Sequence, residues 1–211
     1  MNQRSKTTLL LFLSCLAFSS TAPVLSAARV VVTRAKQFLK VDEALALAFP
    51  GAEVKRGTVY LTEEQKKKAA KLAKTKLTQS IVHPYEAFDK KGELVGTAYF
   101  DTHQVRTKKE SIMIIVAPDG TIARIELCAF GEPLDYMPSG RWYGQFLGKR
   151  LDDDLNLGRD IQGITGATLS GQATTRCARR VLATHLAIQP PAPKPKPIPK
   201  PGPKPGSQEK A

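Results

Sequence analysis

The order of apolar and polar positions predicts two helices at the start of the folded region. Residues 41–48 have helical composition, and the Phe-Pro-Gly sequence at 49–51 then breaks the helix. Thr62 has the position of an N-cap, and Gln65 three residues later completes a capping box. Acidic residues follow the cap and lysines come later, in the order that the helix dipole favours. The second helix is therefore predicted over 63–76.

A series of short strands follows the second helix. The sequence Asp-Lys-Lys-Gly at 89–92 is a hairpin signal, and Pro-Asp-Gly at 118–120 is a turn between two apolar runs. Short turns between successive strands imply an antiparallel sheet. Strands followed by a terminal helix imply an α+β fold, with the antiparallel sheet packed by helices. The predicted strands after the second helix are 81–88, 93–100, 111–117 and 121–129, and a further short strand is predicted just before that helix, at 58–61.

A long amphipathic helix is predicted from Thr168 to about Ile188. The apolar stripe that would pack on the sheet consists of Cys177, Ala178, Val181, Leu182 and Leu186. Three arginines lie mostly off this stripe, and we expect the solvent to surround Arg176, Arg179 and Arg180. The alternative is that they create a positive field near a cofactor or form a docking patch. His185 lies on or beside the stripe, so we expect a partly buried structural histidine.

Both ends of the chain have the composition of segments outside a folded core. A basic start, a short apolar run and a small-residue cleavage site make residues 1–28 a predicted signal peptide. An uncleaved N-terminal membrane anchor is the alternative. Prolines alternating with lysines make 190–211 a disordered tail, because proline has no N–H donor and fixes φ. Between these ends we expect an N-terminal helical segment at 29–76 and one folded domain at 77–189.

The formal net charge of the chain is +13, and several lysines contribute to it in the second predicted helix. A solvated helix face is the simplest interpretation. Because the chain is predicted to be exported and has no aromatic residues among its basic ones, we expect no nucleic-acid partner. Contact with a membrane surface, a cell-wall polymer or an acidic redox partner fits better. Export also permits a disulfide between Cys128 and Cys177, but two small buried residues are the preferred interpretation.

The most informative stretch is Gly-Ile-Thr-Gly-Ala-Thr-Leu-Ser at 163–170, directly before the last helix. Glycines permit a tight turn and a close approach by another group. A helix N-terminus offers unpaired N–H donors and a partial positive charge, which suit a phosphate. An ordinary strand-to-helix turn capped by Ser170 is the alternative. Two further segments lie upstream, Phe-Gly-Glu-Pro-Leu-Asp-Tyr at 130–136 and Arg-Trp-Tyr-Gly-Gln-Phe-Leu-Gly-Lys at 141–149.

These three segments resemble the FMN-binding domain family, which includes the covalently flavinylated subunits of Rnf complexes and of sodium-translocating NADH:quinone reductases. Their order and spacing agree over about residues 93–186. The resemblance implies that FMN is attached covalently to Thr168 through a phosphoester bond. A separate FMN transferase, which uses FAD and magnesium, would place it there. The family often has an acidic residue six positions before the threonine, where this chain has Gln162.

The resemblance also implies which residues would surround the flavin. The cofactor-binding residues of the motif would be Thr165, Gly166, Ala167, Thr168, Leu169 and Ser170, and the backbone N–H groups of residues 168–170 would meet the phosphate. Thr165 is the next candidate for attachment after Thr168. The isoalloxazine ring would lie against Glu132, Pro133, Leu134 and Trp142. The residue types alone leave alternatives for two of these. Trp142 is equally suited to anchor the core. For Glu132 a surface turn carboxylate is the preferred interpretation, and a proton relay to reduced flavin is the alternative.

Other kinds of site lack the residues that they need in this sequence. Ser170 has no local histidine for a hydrolytic triad, and the chain has no Walker or Rossmann glycine pattern. Three aspartates at 152–154 fit a solvated loop better than a cation site, so we predict no metal and no catalytic residue. We expect an exported, periplasmic or extracytoplasmic electron carrier that works with a membrane redox complex or reductase. The alternative is a non-redox surface module whose Lys/Pro tail binds polyanions or cell wall.

Overall fold

The computed structural model describes residues 36–188. The predicted signal peptide at 1–28 and the predicted tail at 190–211 lie outside this range. Within it the chain has the predicted α+β fold, an antiparallel sheet packed by helices. None of the described helices combines the length and the apolar composition that a membrane span requires.

The described residues form eight strands and four α-helices. The strands are β1 (Lys36–Gln37), β2 (Glu53–Arg56), β3 (Val59–Tyr60), β4 (Ile81–Val82), β5 (Tyr85–Phe88), β6 (Leu94–Gln104), β7 (Lys109–Val116) and β8 (Ile122–Phe130). The helices are α1 (Val41–Ala48), α2 (Glu63–Ala73), α3 (Gly140–Tyr143) and α4 (Thr168–Ile188). Two single 3-10 turns, Leu134–Tyr136 and Gly144–Phe146, flank α3.

Six of the strands form one sheet in the order β1-β8-β7-β6-β5-β2, and every neighbouring pair is antiparallel. β3 and β4 form a separate antiparallel pair. The segment 29–76 is therefore not only helical. It supplies β1 and β2 to the large sheet, which crosses the boundary that we expected at residue 77.

Side chains pack on both faces of the large sheet. Ile114 belongs to the core on the face covered by α3 and α4, and the preceding residue, Met113, packs on the opposite face with α1. Cys177 belongs to the first of these two cores and Cys128 to the second. Both are buried free thiols, so the preferred interpretation of two small buried cysteines is confirmed.

Helix α2 begins at the predicted capping box. Thr62 Oγ1 accepts a hydrogen bond from the Gln65 amide at 3.2 Å, and Gln65 Oε1 accepts one from the Thr62 amide at 2.9 Å. The helix ends at Ala73, three residues earlier than predicted, because Lys74 adopts a left-handed φ of 55°. Small side chains let α2 pack closely on α4, through Ala69, Ala73 and Ala183.

Candidate functional site

The first turn of α4 forms one wall of a cavity of about 300 Å³. The helix begins at Thr168, as predicted, and Gly166 just before it has a φ of 81°. Glycine reaches this conformation without strain, so the chain can turn sharply into the helix. The loop between β6 and β7 and the turn after β8 complete the walls. The lining residues are Val105, Arg106, Glu132, Tyr136, Gly166, Ala167, Thr168, Leu169 and Ser170.

Thr168 and Leu169 are exposed at this cavity, whereas the flanking Ala167 and Ser170 are buried. The first amides of an α-helix have no intrahelical acceptor, and the helix dipole places partial positive charge beside them. The hydroxyl of Thr168 is therefore accessible next to amide groups that can bind an anion.

Ser170 does not cap α4, which corrects the alternative considered from the sequence. It is the third residue of the helix, and its hydroxyl donates a 2.7 Å hydrogen bond to the carbonyl oxygen of Tyr136. This contact joins the first turn of α4 to the 3-10 turn at Leu134–Tyr136. Ser170 therefore holds two walls of the cavity together.

Glu132 is buried and is not a surface carboxylate. Its Oε1 accepts hydrogen bonds from the amides of Arg106, Thr107 and Lys108 at 3.2, 2.6 and 2.7 Å. Burial alone raises the pKa of Glu132, but these backbone hydrogen bonds outweigh it and hold the pKa below its ordinary value. The carboxylate therefore fixes the β6–β7 loop against the turn that follows β8.

Gly131 allows these two segments to approach each other. A Cβ atom at Gly131 would lie 2.9 Å from both the Cβ of Lys108 and the carbonyl oxygen of Lys109. The Gly131 amide donates to that same carbonyl at 2.9 Å. Any side chain at this position would force the backbone at Lys108 and Lys109 to shift.

Trp142 is a core residue and does not line the cavity. Its Nε1 donates a 2.8 Å hydrogen bond to the carbonyl oxygen of Gln162, and its ring packs so closely on α4 that a Cβ at Gly171 would lie 3.4 Å from it. The Gln162 amide donates to Gln145 Oε1 at 2.8 Å. Lys149 also pairs with Asp160 at 2.9 Å. The segment at 141–149 therefore holds the loop that leads into the Gly-Ala-Thr turn.

The cavity contains some of the predicted site residues but not all. Six predicted residues line it, Glu132 and the five from Gly166 to Ser170. Four do not, namely Thr165, Pro133, Leu134 and Trp142. Three lining residues were missed, Val105, Arg106 and Tyr136. Tyr136 is the last residue of the segment 130–136, which carries part of the resemblance. Val105 and Arg106 belong to the β6–β7 loop, which is held at the cavity by Glu132, and no local sequence pattern reveals this contact.

Two of the three arginines expected in solvent are instead bound inside the protein. Arg179 is 4% exposed, and its guanidinium donates to the carbonyl oxygens of Leu72, Ala73, Asp152 and Leu155. The first two of these carbonyls end α2 and have no intrahelical donor. Arg179 therefore joins α2, α4 and the loop after α3, while Arg176 is exposed as expected.

Arg180 pairs with Asp101 of β6, with 2.8 Å between Nη2 and Oδ1. Burial raises the pKa of Asp101, but a hydrogen bond with His103 and the charge of Arg180 lower it more, to about 2. Arg180 is therefore one partner of a partly buried ion pair and not a docking patch.

His185 is buried, as expected for a structural histidine. Its Nδ1 lies 3.0 Å from the hydroxyl of Tyr99, and the two rings meet edge to face. Burial lowers the pKa of His185 to about 4. The side chain is therefore neutral at physiological pH.

No protein-family model matches the chain, and no curated protein matches it. Assignment to the FMN-binding domain family is therefore a proposal that rests on the three sequence segments and on the geometry of the cavity.

Proposed function

We propose that the protein relays electrons through FMN attached covalently to Thr168. The observation that carries the proposal is the position of Thr168, an exposed hydroxyl on the first residue of a 21-residue helix beside a cavity of about 300 Å³. That volume is at the lower end of the range of about 300–1,000 Å³ for small-molecule sites. Thr168 and Leu169 are both exposed, so a transferase could reach the threonine.

The residues around the cavity fit a phosphate-linked flavin. The amides of Thr168, Leu169 and Ser170 would meet the phosphate, and the helix dipole would contribute about 0.3–1 kcal/mol to holding its negative charge. Arg106 brings a cationic side chain to the same cavity. Val105, Tyr136 and Leu169 would provide apolar contact for the ring. Bound FMN would supply reversible electron transfer, which none of these side chains provides.

The predicted signal peptide supports a location outside the cytoplasm, with FMN supplied by an FMN transferase. Electrons would come from, or go to, a membrane redox complex or reductase. Covalent attachment would be useful in such a location, because a lost flavin would not easily be replaced there. The protein would act as a carrier and not as an enzyme that turns over a small substrate.

The test is co-expression of the chain with an FMN transferase, followed by intact-mass measurement of the denatured protein. Wild type should gain the mass of one FMN less one water, as a phosphoester requires, and keep its flavin absorbance after denaturation. Thr168→Ala should gain none, and the matched control Thr165→Ala should be flavinylated like wild type. Flavin retained by Thr168→Ala would contradict the attachment site. A wild-type chain that never gains FMN would favour the non-redox surface module, which binding to anionic vesicles or cell-wall polymer would then examine.

A further inference from the structure

A compact group of metal-ligating side chains lies on the face of the sheet that α4 covers. It consists of Asp101 and His103 on β6 and Cys177 on α4, whose carboxylate, imidazole and thiol ligand atoms all lie within 4.8 Å of one another. Asp101 and Cys177 are buried, and the His103 side chain is 10% exposed. The group is therefore enclosed by protein, with one edge open to solvent at His103.

A second layer of contacts orients His103 toward the other two side chains. Its Nε2 lies 3.0 Å from Glu110 Oε2, and its Nδ1 faces Asp101 Oδ1 at 3.1 Å. Glu110 is fully buried and is itself held by the hydroxyls of Tyr143 at 2.6 Å and Thr174 at 3.1 Å. Histidines that bind a metal through one nitrogen usually donate the other N–H to a carboxylate in this way, which fixes the ring orientation.

The charged neighbours of the group are two carboxylates and one guanidinium. Both nitrogens of His103 face carboxylate oxygens, those of Asp101 and Glu110, and Arg180 pairs with Asp101 at 2.8 Å. A divalent ion would therefore lie beside groups of opposite charge, which a buried charge requires.

We propose that Asp101, His103 and Cys177 bind a zinc ion, with Glu110 and Arg180 as their outer hydrogen-bonding partners. Imidazole, thiolate and carboxylate are all ligands of zinc in proteins, and a thiolate disfavours magnesium and calcium. Three protein ligands leave one coordination position, which water can fill from the exposed edge of His103. The ion would connect β6 to α4 about two and a half turns after Thr168.

The test uses the full chain without a metal-binding tag, reduced and treated with a chelator. Cobalt(II), a spectroscopic substitute for zinc, should bind at one ion per chain with intense thiolate-to-cobalt absorption, and zinc should displace it. Zinc binding should release protons and should raise the melting temperature as its concentration rises. The absence of a thiolate band, with no change in melting temperature, would overturn the proposal and leave an ion-pair network.

Variants identify the ligands. Cys177→Ala and His103→Ala should lose the cobalt–thiolate band, whereas Cys128→Ala is the matched control, a buried free thiol on the opposite face of the sheet that should keep it. Glu110→Gln should weaken zinc binding about 10–100-fold, as expected for an outer partner. A band that survives in Cys177→Ala, or that disappears in Cys128→Ala, would overturn the assignment.

A measurement on the wild-type chain keeps the proposal testable if the Cys177 variant does not fold. X-ray absorption of the zinc adduct should show one sulfur ligand at about 2.3 Å and nitrogen or oxygen ligands at about 2.0–2.2 Å. A shell of nitrogen and oxygen alone would overturn the site, because it would exclude Cys177.

Discussion

The indole Nε1 of Trp142 donates a 2.8 Å hydrogen bond to the carbonyl oxygen of Gln162, four residues before the glycine that turns the chain into α4. The amide of the same residue is held by Gln145. One residue of the loop is thus fixed through both of its peptide groups. The position of the Gly-Ala-Thr turn therefore depends on a segment about twenty residues upstream.

Trp142→Phe should loosen this loop without unfolding the protein. Phenylalanine keeps a ring against α4 but has no N–H to donate. We expect the free energy of unfolding to fall by about 1–2 kcal/mol, from one lost hydrogen bond and a small loss of packing. Denaturant unfolding measures this change. Gln145→Ala removes the acceptor of the Gln162 amide, so it should reduce the free energy of unfolding by a similar amount. Unchanged stability in both variants would show that the loop does not need this support.

Glu132→Gln tests the connection between the two loops of the cavity wall. The amide oxygen can still accept from the amides of residues 106–108, but without the charge that strengthens those hydrogen bonds. We expect a loss of roughly 1–3 kcal/mol in the free energy of unfolding. Hydrogen exchange should report faster opening of the β6–β7 loop than in wild type. Equal exchange rates in the two proteins would mean that another contact fixes the loop.

Local sequence patterns predict the helices and strands whose ends are set by residues close together in the chain. α1 has the predicted bounds, and α2 begins at the predicted capping box because Thr62 and Gln65 satisfy each other's amides. The predicted strand over 81–88 is two strands in the structure, because Pro84 interrupts it and has no N–H for a ladder. β6 continues four residues past its predicted end at Phe100, since its polar residues pair with β7.

The parts of the site that were missed depend on contacts distant in sequence. The apolar stripe of α4 predicted one buried face, but α2 also covers this helix, so Arg179 becomes buried and finds carbonyl acceptors more than a hundred residues away. Asp101 and Arg180 are likewise 79 residues apart. Periodicity indicates which face of a helix is apolar. It does not reveal which polar side chains find a partner after the helices pack.

Arg179→Met should be strongly destabilising, although it replaces one long side chain with another. The four carbonyl oxygens that Arg179 contacts would lose their donor. Each buried polar group left unsatisfied costs about 1–3 kcal/mol, so we expect a loss of at least about 3 kcal/mol in the free energy of unfolding. Arg176→Met is the matched control on the exposed side of the same helix, and it should change stability by no more than about 0.5 kcal/mol. Similar effects of the two substitutions would refute the structural role of Arg179.

Gln162→Asp should improve flavinylation if the transferase reads an acidic residue at this position. The Gln162 side chain is exposed, and its backbone makes the contacts with Trp142 and Gln145, so the substitution should leave the fold intact. The flavinylated fraction against time, with a transferase supplied, measures the effect. The same time course for both proteins would mean that Gln162 is read as well as an acid, or that Asp160 substitutes for it.

Stability should fall as the pH decreases because His185 is buried in its neutral form. Its pKa is about 4 in the folded protein and 6.5 in its ordinary state, so the unfolded chain binds more protons between these values. The stabilisation from the neutral histidine is therefore complete above about pH 6.5 and decreases toward pH 4, by up to about 3 kcal/mol. His185→Gln keeps a polar group near Tyr99 but does not titrate. Denaturant unfolding of both proteins from about pH 7.5 down to about pH 4 isolates the effect, because all other titrating groups are shared. If the free energy of unfolding has the same pH dependence in the two proteins, protonation of His185 does not destabilise the folded state.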